Sequence, residues 1–226
     1  MSKPQRIAII DNSIHPEIYE PVMHWRSFID APCEVFRAKE NKLPDISRYS
    51  HLIVSGSEAS ILERKDWVEE EVRLVRRAVE NGLSVLGSCY GHQLLALSLA
   101  GPDVVRRTSV PEIGWIPLHV DNRNSFFGQT KRAYSFTLHF DEVHHLDDRF
   151  DVFASTQSCP VQAFQMKGRP VWGLQPHPEI SIVQGQKLLR ELIDAGAKGR
   201  EGMEAALKSQ PRDSGLIYSV IINFLS

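Results

Sequence analysis

The chain has 226 residues, of which 42% are hydrophobic, 24% charged and 8% aromatic. That balance belongs to a globular protein with a sizeable core, and it excludes disordered, collagen-like and coiled-coil classes. A net charge of −2 argues against a chain-wide basic surface for nucleic acid or anionic lipid, and no apolar run approaches the roughly 20 residues a membrane helix needs.

The N-terminal segment runs straight into an apolar stretch without a signal-like core, so a cytoplasmic protein is expected. Ile7 to Asp11 reads as a buried parallel strand. Pro16 to Ile29 can form a helix that Pro21 interrupts. Glu34 to Arg37 and His51 to Ser55 read as strands, with Gly56 at the carboxyl end of the second. Asp66 is placed to cap a helix, with Glu69 three residues on as a capping-box partner. Val68, Val72, Val75 and Val79 recur along that helix, and Asn81-Gly82 closes it. The charge-rich face of the segment from Glu63 to Glu80 reads as solvated. Leu83 to Leu86 is the next strand, followed by a sharp break and an apolar helix over Gln93 to Ala100.

Beyond Pro102 the pattern changes. Ile113 to Val120, Arg132 to Phe140, Phe150 to Ser155, Val161 to Met166 and Val171 to Gln175 read as strands without long helices between them, which predicts antiparallel or mixed pairing. Helices return over Ile180 to Ala195, Glu201 to Lys208 and Ser214 to Phe224. The early strand-helix-strand units predict a parallel sheet with right-handed crossovers. Ligands in such sheets bind beyond the carboxyl ends of the strands, where Gly56 and Cys89 are expected.

The cysteines are Cys33, Cys89 and Cys159. Their spacing makes neither a disulfide framework nor a CxxC metal site. Cys89 stands out because Gly87 and Gly91 flank it between a buried strand and an apolar helix. This is the arrangement of a nucleophile elbow, in which side chains at the flanking positions would collide. The position also puts the thiol at a helix N-terminus, where the dipole favours the reactive thiolate. The amide of Tyr90 and one from the loop at Gly56 are placed to hold a developing oxyanion. The plainer reading is a small buried hydrophobe beside a glycine turn.

A thiol nucleophile calls for a histidine and a group that orients it. His177 lies between Pro176 and Pro178, whose rings fix the local backbone. Glu179, two residues on, projects to the same side in an extended stretch. His177 alone also fits a structural turn histidine. The rival cluster is His139, Asp141, His144 and His145; a metal site there is the sharper reading, a solvated polar segment the simpler one.

Gly87-Ser88-Cys89-Tyr90-Gly91-His92-Gln93, with Gln175-Pro176-His177-Pro178-Glu179, resembles the elbow and tail motifs of class I (triad-type) glutamine amidotransferases. Glu112-Ile113-Gly114-Trp115 and the His139, Asp141, Val143 pattern resemble the stand-alone branch similar to the glutaminase domain of GMP synthase. The resemblance covers most of the chain and implies a single domain over 1–226. It implies an α/β three-layer, flavodoxin-like sandwich whose central sheet is mostly parallel with an antiparallel extension. It further implies hydrolysis of the side-chain amide of glutamine, or of a γ-glutamyl amide, with no cofactor. Carried over by position, Cys89 is the nucleophile, His177 the acid/base and Glu179 its orienter. Gly56 and Tyr90 supply oxyanion amides, and Gln93 holds the substrate or the elbow. Two positions depart from the pattern: Ser55-Gly56-Ser57 replaces the usual Gly-Gly-Pro, and Ser88 stands where an aliphatic residue is common. A synthase that takes the ammonia is expected on a separate chain or not at all. The competing readings are a free γ-glutamyl hydrolase and a non-catalytic binding module on the same fold.

Overall fold

The computed structural model describes residues 5–121 and 123–226. The opening Met1 to Pro4 of the N-terminal reading lies outside the described residues. The β-strands are β1 (Ile7–Asp11), β2 (Cys33–Arg37), β3 (His51–Val54), β4 (Ser84–Ser88), β5 (Val105–Val120), β6 (Arg132–Val143), β7 (Phe150–Ser155), β8 (Ala163–Met166) and β9 (Val171–Leu174). The α-helices are α1 (Pro21–Arg26), α2 (Val68–Glu80), α3 (Tyr90–Ala100), α4 (Ile182–Asp194), α5 (Arg200–Lys208) and α6 (Leu216–Phe224).

The strands form one sheet in the order β2-β1-β3-β4-β9-β8-β7-β5-β6. The first five are mutually parallel, and the rest pair antiparallel. This is the mostly parallel α/β sheet with an antiparallel extension that the sequence predicts. Both faces of the parallel half are covered, because alternate residues of each strand enter opposite cores. From β1, Ala8 and Ile10 join Leu52, Val75 and Leu94 on the side of α2 and α3. Ile7 and Ile9 join Trp25, Trp172 and Phe224 on the side of α1 and α6. A third cluster, containing Phe136, Leu188, Leu189 and Met203, packs α4 and α5 against the extension.

Four local expectations are corrected. The first helix begins only at Pro21, because a proline at the first position suits a helix start. The cap at Asp66 is not made: Trp67 precedes α2 in helical conformation with no side-chain capping bond. The capping box occurs instead at Ser181 and Gln184, where α4 begins. Strand β5 starts at Val105 rather than Ile113, and a register shift between Arg107 and Glu112 lets it continue past Pro111. The charged face of α2 also has an exception, since Glu71 is buried.

Candidate active site

Strand β4 ends in the elbow. Cys89 has φ 50° and ψ −105°, a left-handed region that a non-glycine residue adopts only under constraint. The constraint is visible on both sides. The Cys89 amide donates to the Leu174 carbonyl at the end of β9 across 2.7 Å, and the Cys89 carbonyl accepts from the Gln93 amide at 3.1 Å. A Cβ at Gly87 would stand 2.5 Å from the Gly91 carbonyl, and one at Gly91 would overlap the Val54 carbonyl. Only glycine lets strand, turn and helix approach this closely.

Because β9 lies beside β4, the segment after β9 returns to the elbow. The His177 amide donates to the Phe136 carbonyl at 2.8 Å, which ties this segment to β6. His177 Nδ1 bonds Glu179 Oε1 at 2.8 Å, and both side chains are almost wholly buried. The Cys89 side chain lies within hydrogen-bonding reach of the same imidazole. Burial works against a charge on the ring. The negative charges of Glu179 and Cys89 outweigh it and raise His177 to about 10. The three residues singled out from the sequence are therefore brought together.

Cys89 and His177 open on a cavity of about 310 Å³, the size range of small-molecule sites. The described residues form its walls, with Ser57, Glu58 and Ser60 on one side and Leu188, Leu192 and Met203 on the other. Gly56 is set slightly behind this wall. A side chain there would meet the Tyr19 hydroxyl at 2.5 Å and His177 Cε1 at 2.8 Å, so its bareness makes room for the imidazole. Tyr90 borders the cavity at the first position of α3. Its hydroxyl points inward and donates to Glu71 Oε2 at 3.3 Å. Gln93 also borders the cavity, and its carboxamide donates to the Asp141 carbonyl at 2.8 Å and to Gln175 Oε1 at 3.2 Å. It thus braces β6 and the β9 exit against the elbow.

The histidine-rich segment does not converge on a metal. His139 bonds Glu112 through Nε2 at 2.9 Å and the Asp141 carbonyl through Nδ1 at 3.0 Å. Asp141 faces Arg107 at 3.1 Å and accepts from Ser60 at 2.5 Å. His144 bonds the Asp103 carbonyl instead. Glu112, His139 and Cys159 do lie close together. Glu112 nevertheless has both oxygens engaged by His139, Thr156, Ser158 and Gln162, and burial raises the Cys159 thiol strongly. This is the donor saturation of a structural network rather than a vacant ligand set.

Sequence reasoning missed Tyr19, Ser60 and Arg107 at this site. None sits in a motif, and Tyr19 is 158 residues from His177 along the chain.

The class-I glutamine amidotransferase family model matches residues 9–195, and the chain belongs to that family. Within it, the chain is similar to glutamine-hydrolysing GMP synthases, both undivided ones and ones built from separate chains. It is 29% identical over 190 residues to one subunit of the glutamine-hydrolysing GMP synthase of Methanothermobacter thermautotrophicus, covering 83% of this chain and 96% of that one. It is 36% identical over 123 residues to the glutamine-hydrolysing GMP synthase of Clostridium novyi, covering 54% of this chain. That match spans 24% of the Clostridium protein, about a quarter of its length. The fold of a Thermotoga maritima glutamine amidotransferase superposes with a TM-score of 0.76 at 21% identity, over all of both chains. Among the described residues, no helix is long and apolar enough to cross a membrane.

Proposed function

We propose that this chain is a single class I amidotransferase unit that hydrolyses the side-chain amide of glutamine, or of a γ-glutamyl amide, through a thioester on Cys89. The observation that carries the reading is the strained Cys89 elbow beside an imidazole bonded to a buried carboxylate. His177 takes the thiol proton, and Cys89 sulfur attacks the δ-carbon of the amide. The negative charge moves to the carbonyl oxygen, where the Tyr90 amide and a donor from the loop at Gly56 stabilise it. As that oxygen reforms its double bond, the C–N bond breaks, and the nitrogen leaves as ammonia with the proton held by His177. Water then attacks the thioester and gives its proton to His177. Glutamate departs, and the thiol is restored. Glu179 keeps the ring tautomer and its charge in place throughout.

The relatives named as single subunits of a GMP synthase favour a separate synthase chain as acceptor of the ammonia, with both proteins in the cytoplasm. The test is release of ammonia and glutamate from glutamine, with and without a candidate synthase chain, together with mass-spectrometric trapping of the thioester. A γ-glutamyl adduct mapped to Cys89 supports the reading. An adduct of the same mass that persists in Cys89→Ala overturns it.

A further inference from the structure

The segment between β1 and α1 belongs to no motif, yet it touches the centre of the site. Its anchor is Glu58, a cavity-wall residue whose two carboxylate oxygens accept from the amides of Ile14 at 3.0 Å and His15 at 3.1 Å. Five residues after Ile14, Tyr19 lies 5% exposed, with its ring stacked on His24 at 6.3 Å and edge-on to His177 at 6.1 Å. Its hydroxyl oxygen is 3.5 Å from His177 Nδ1 and rests against the bare face of Gly56.

That nitrogen carries the proton bonded to Glu179 at 2.8 Å. The tyrosine oxygen is therefore a second, longer acceptor on the same N–H, and its ring covers the edge of the imidazole that water would otherwise reach. Burial, with the nearby charges of Glu179 and Cys89, holds the Tyr19 phenol well above its usual range, so it stays neutral and adds no competing charge. We propose that Tyr19 is a positioning residue for the His177–Glu179 pair, and that Glu58 holds it there through the segment before α1. The inference rests on the reading of His177 as acid/base. It adds a route by which occupancy of the cavity at Glu58 reaches that base.

The ionisable groups that face His177 are Glu179, Cys89, Tyr19 and His24. Tyr19→Phe keeps the ring and its packing and removes only the oxygen. Glu58→Gln leaves one good acceptor where there were two, and so loosens the segment. The measurement is an NMR titration of the His177 imidazole in the parent chain, the two single variants and the double variant, alongside their melting temperatures. Losing an acceptor on Nδ1–H disfavours the protonated ring, so the midpoint falls in Tyr19→Phe by about half a pH unit or more. It falls less in Glu58→Gln, and adding Glu58→Gln to Tyr19→Phe moves it no further, because both act through one oxygen.

A His177 midpoint unchanged in Tyr19→Phe overturns the proposal, as does a Glu58→Gln shift of full size in a chain that already carries Tyr19→Phe. The titration needs no turnover. A failure of the amidase reading therefore shows in the parent chain's activity, whereas a failure of this proposal shows only in the variants' titrations.

Discussion

Ser88 Oγ donates to Glu179 Oε1 across 3.2 Å, and that same oxygen bonds His177 Nδ1 at 2.8 Å. The residue before the thiol and the carboxylate behind the imidazole thus share one atom. The other oxygen, Oε2, is buried without a hydrogen-bond partner among the described residues. A serine in place of the usual aliphatic residue therefore supplies one of the few donors this carboxylate has. Ser88→Ala is expected to destabilise the fold by about 1–3 kcal/mol, as removal of a donor from a buried charged group does. Urea denaturation measures it. The same variant is expected to lower kcat more than it changes KM.

Loss of the thiol should be close to complete loss of turnover. Cys89→Ala is expected to lower kcat by a factor on the order of 10⁴ or more, the scale seen when a nucleophile is deleted from a triad. Glutamine binding, read by calorimetry, should survive within a few-fold.

The elbow glycines define a steric prediction. A methyl group at Gly91 would overlap the Val54 carbonyl, which belongs to a buried central strand and has no room to retreat. Gly91→Ala is expected to cost about 3–5 kcal/mol, at the exceptional end for single substitutions. Gly82→Ala is the control, because nothing lies within 4 Å of a Cβ there; its positive φ of 74° alone should cost about 1 kcal/mol. Thermal melts of the pair separate crowding from backbone strain.

The raised His177 gives a pH signature. Its folded value is about 10 against an ordinary 6.5, so the ion pair's contribution is full below pH 6.5 and disappears as pH rises through about 10. Glu179→Gln removes the charge that raises it. The stability difference between parent and Glu179→Gln should therefore shrink steadily over that window, as followed by denaturation at several pH values.

Glu71 titrates in a window of its own. Burial pushes it up to about 8, and the hydrogen bond from Tyr90 only moderates this. The folded state keeps a proton that the unfolded chain releases near 4.5, so stability is full below that point and is lost as pH rises through 8. Glu71→Gln should flatten the curve, with a gain of about 1–3 kcal/mol at pH 9 and little change at pH 4. Because Tyr90 follows the nucleophile directly, the variant also tests whether the elbow softens when Glu71 ionises.

Much of this was legible in the sequence, for identifiable reasons. Buried parallel strands such as Ile7–Asp11 announce themselves as apolar runs, and glycines at fixed offsets from Cys89 announce a steric requirement. Pro-His-Pro-Glu carries its geometry within a few residues. What escaped depends on distant pairing. Tyr19 meets His177 only because β1 and β9 end on the same side of the sheet, and Arg107 meets Asp141 through the β5–β6 register. Glu71 was read as part of a solvated face because periodicity places a residue on a helix side without saying what covers it. The capping signal at Asp66 failed for a related reason: local chemistry permits a cap, but the chain turns into α2 one residue later.

Strands β4 and β9 are bonded neighbours in parallel register, Ser88 opposite Leu174, and each delivers one half of the site within three residues of its end. Alignment of thiol and imidazole is thus inherited from a ladder of main-chain bonds in the middle of the molecule, not from adjustable loops. Slippage by one residue would turn the two groups to opposite faces. Heat inactivation should accordingly trace the same sigmoid as loss of the sheet, with no temperature interval in which an intact molecule carries a disassembled centre.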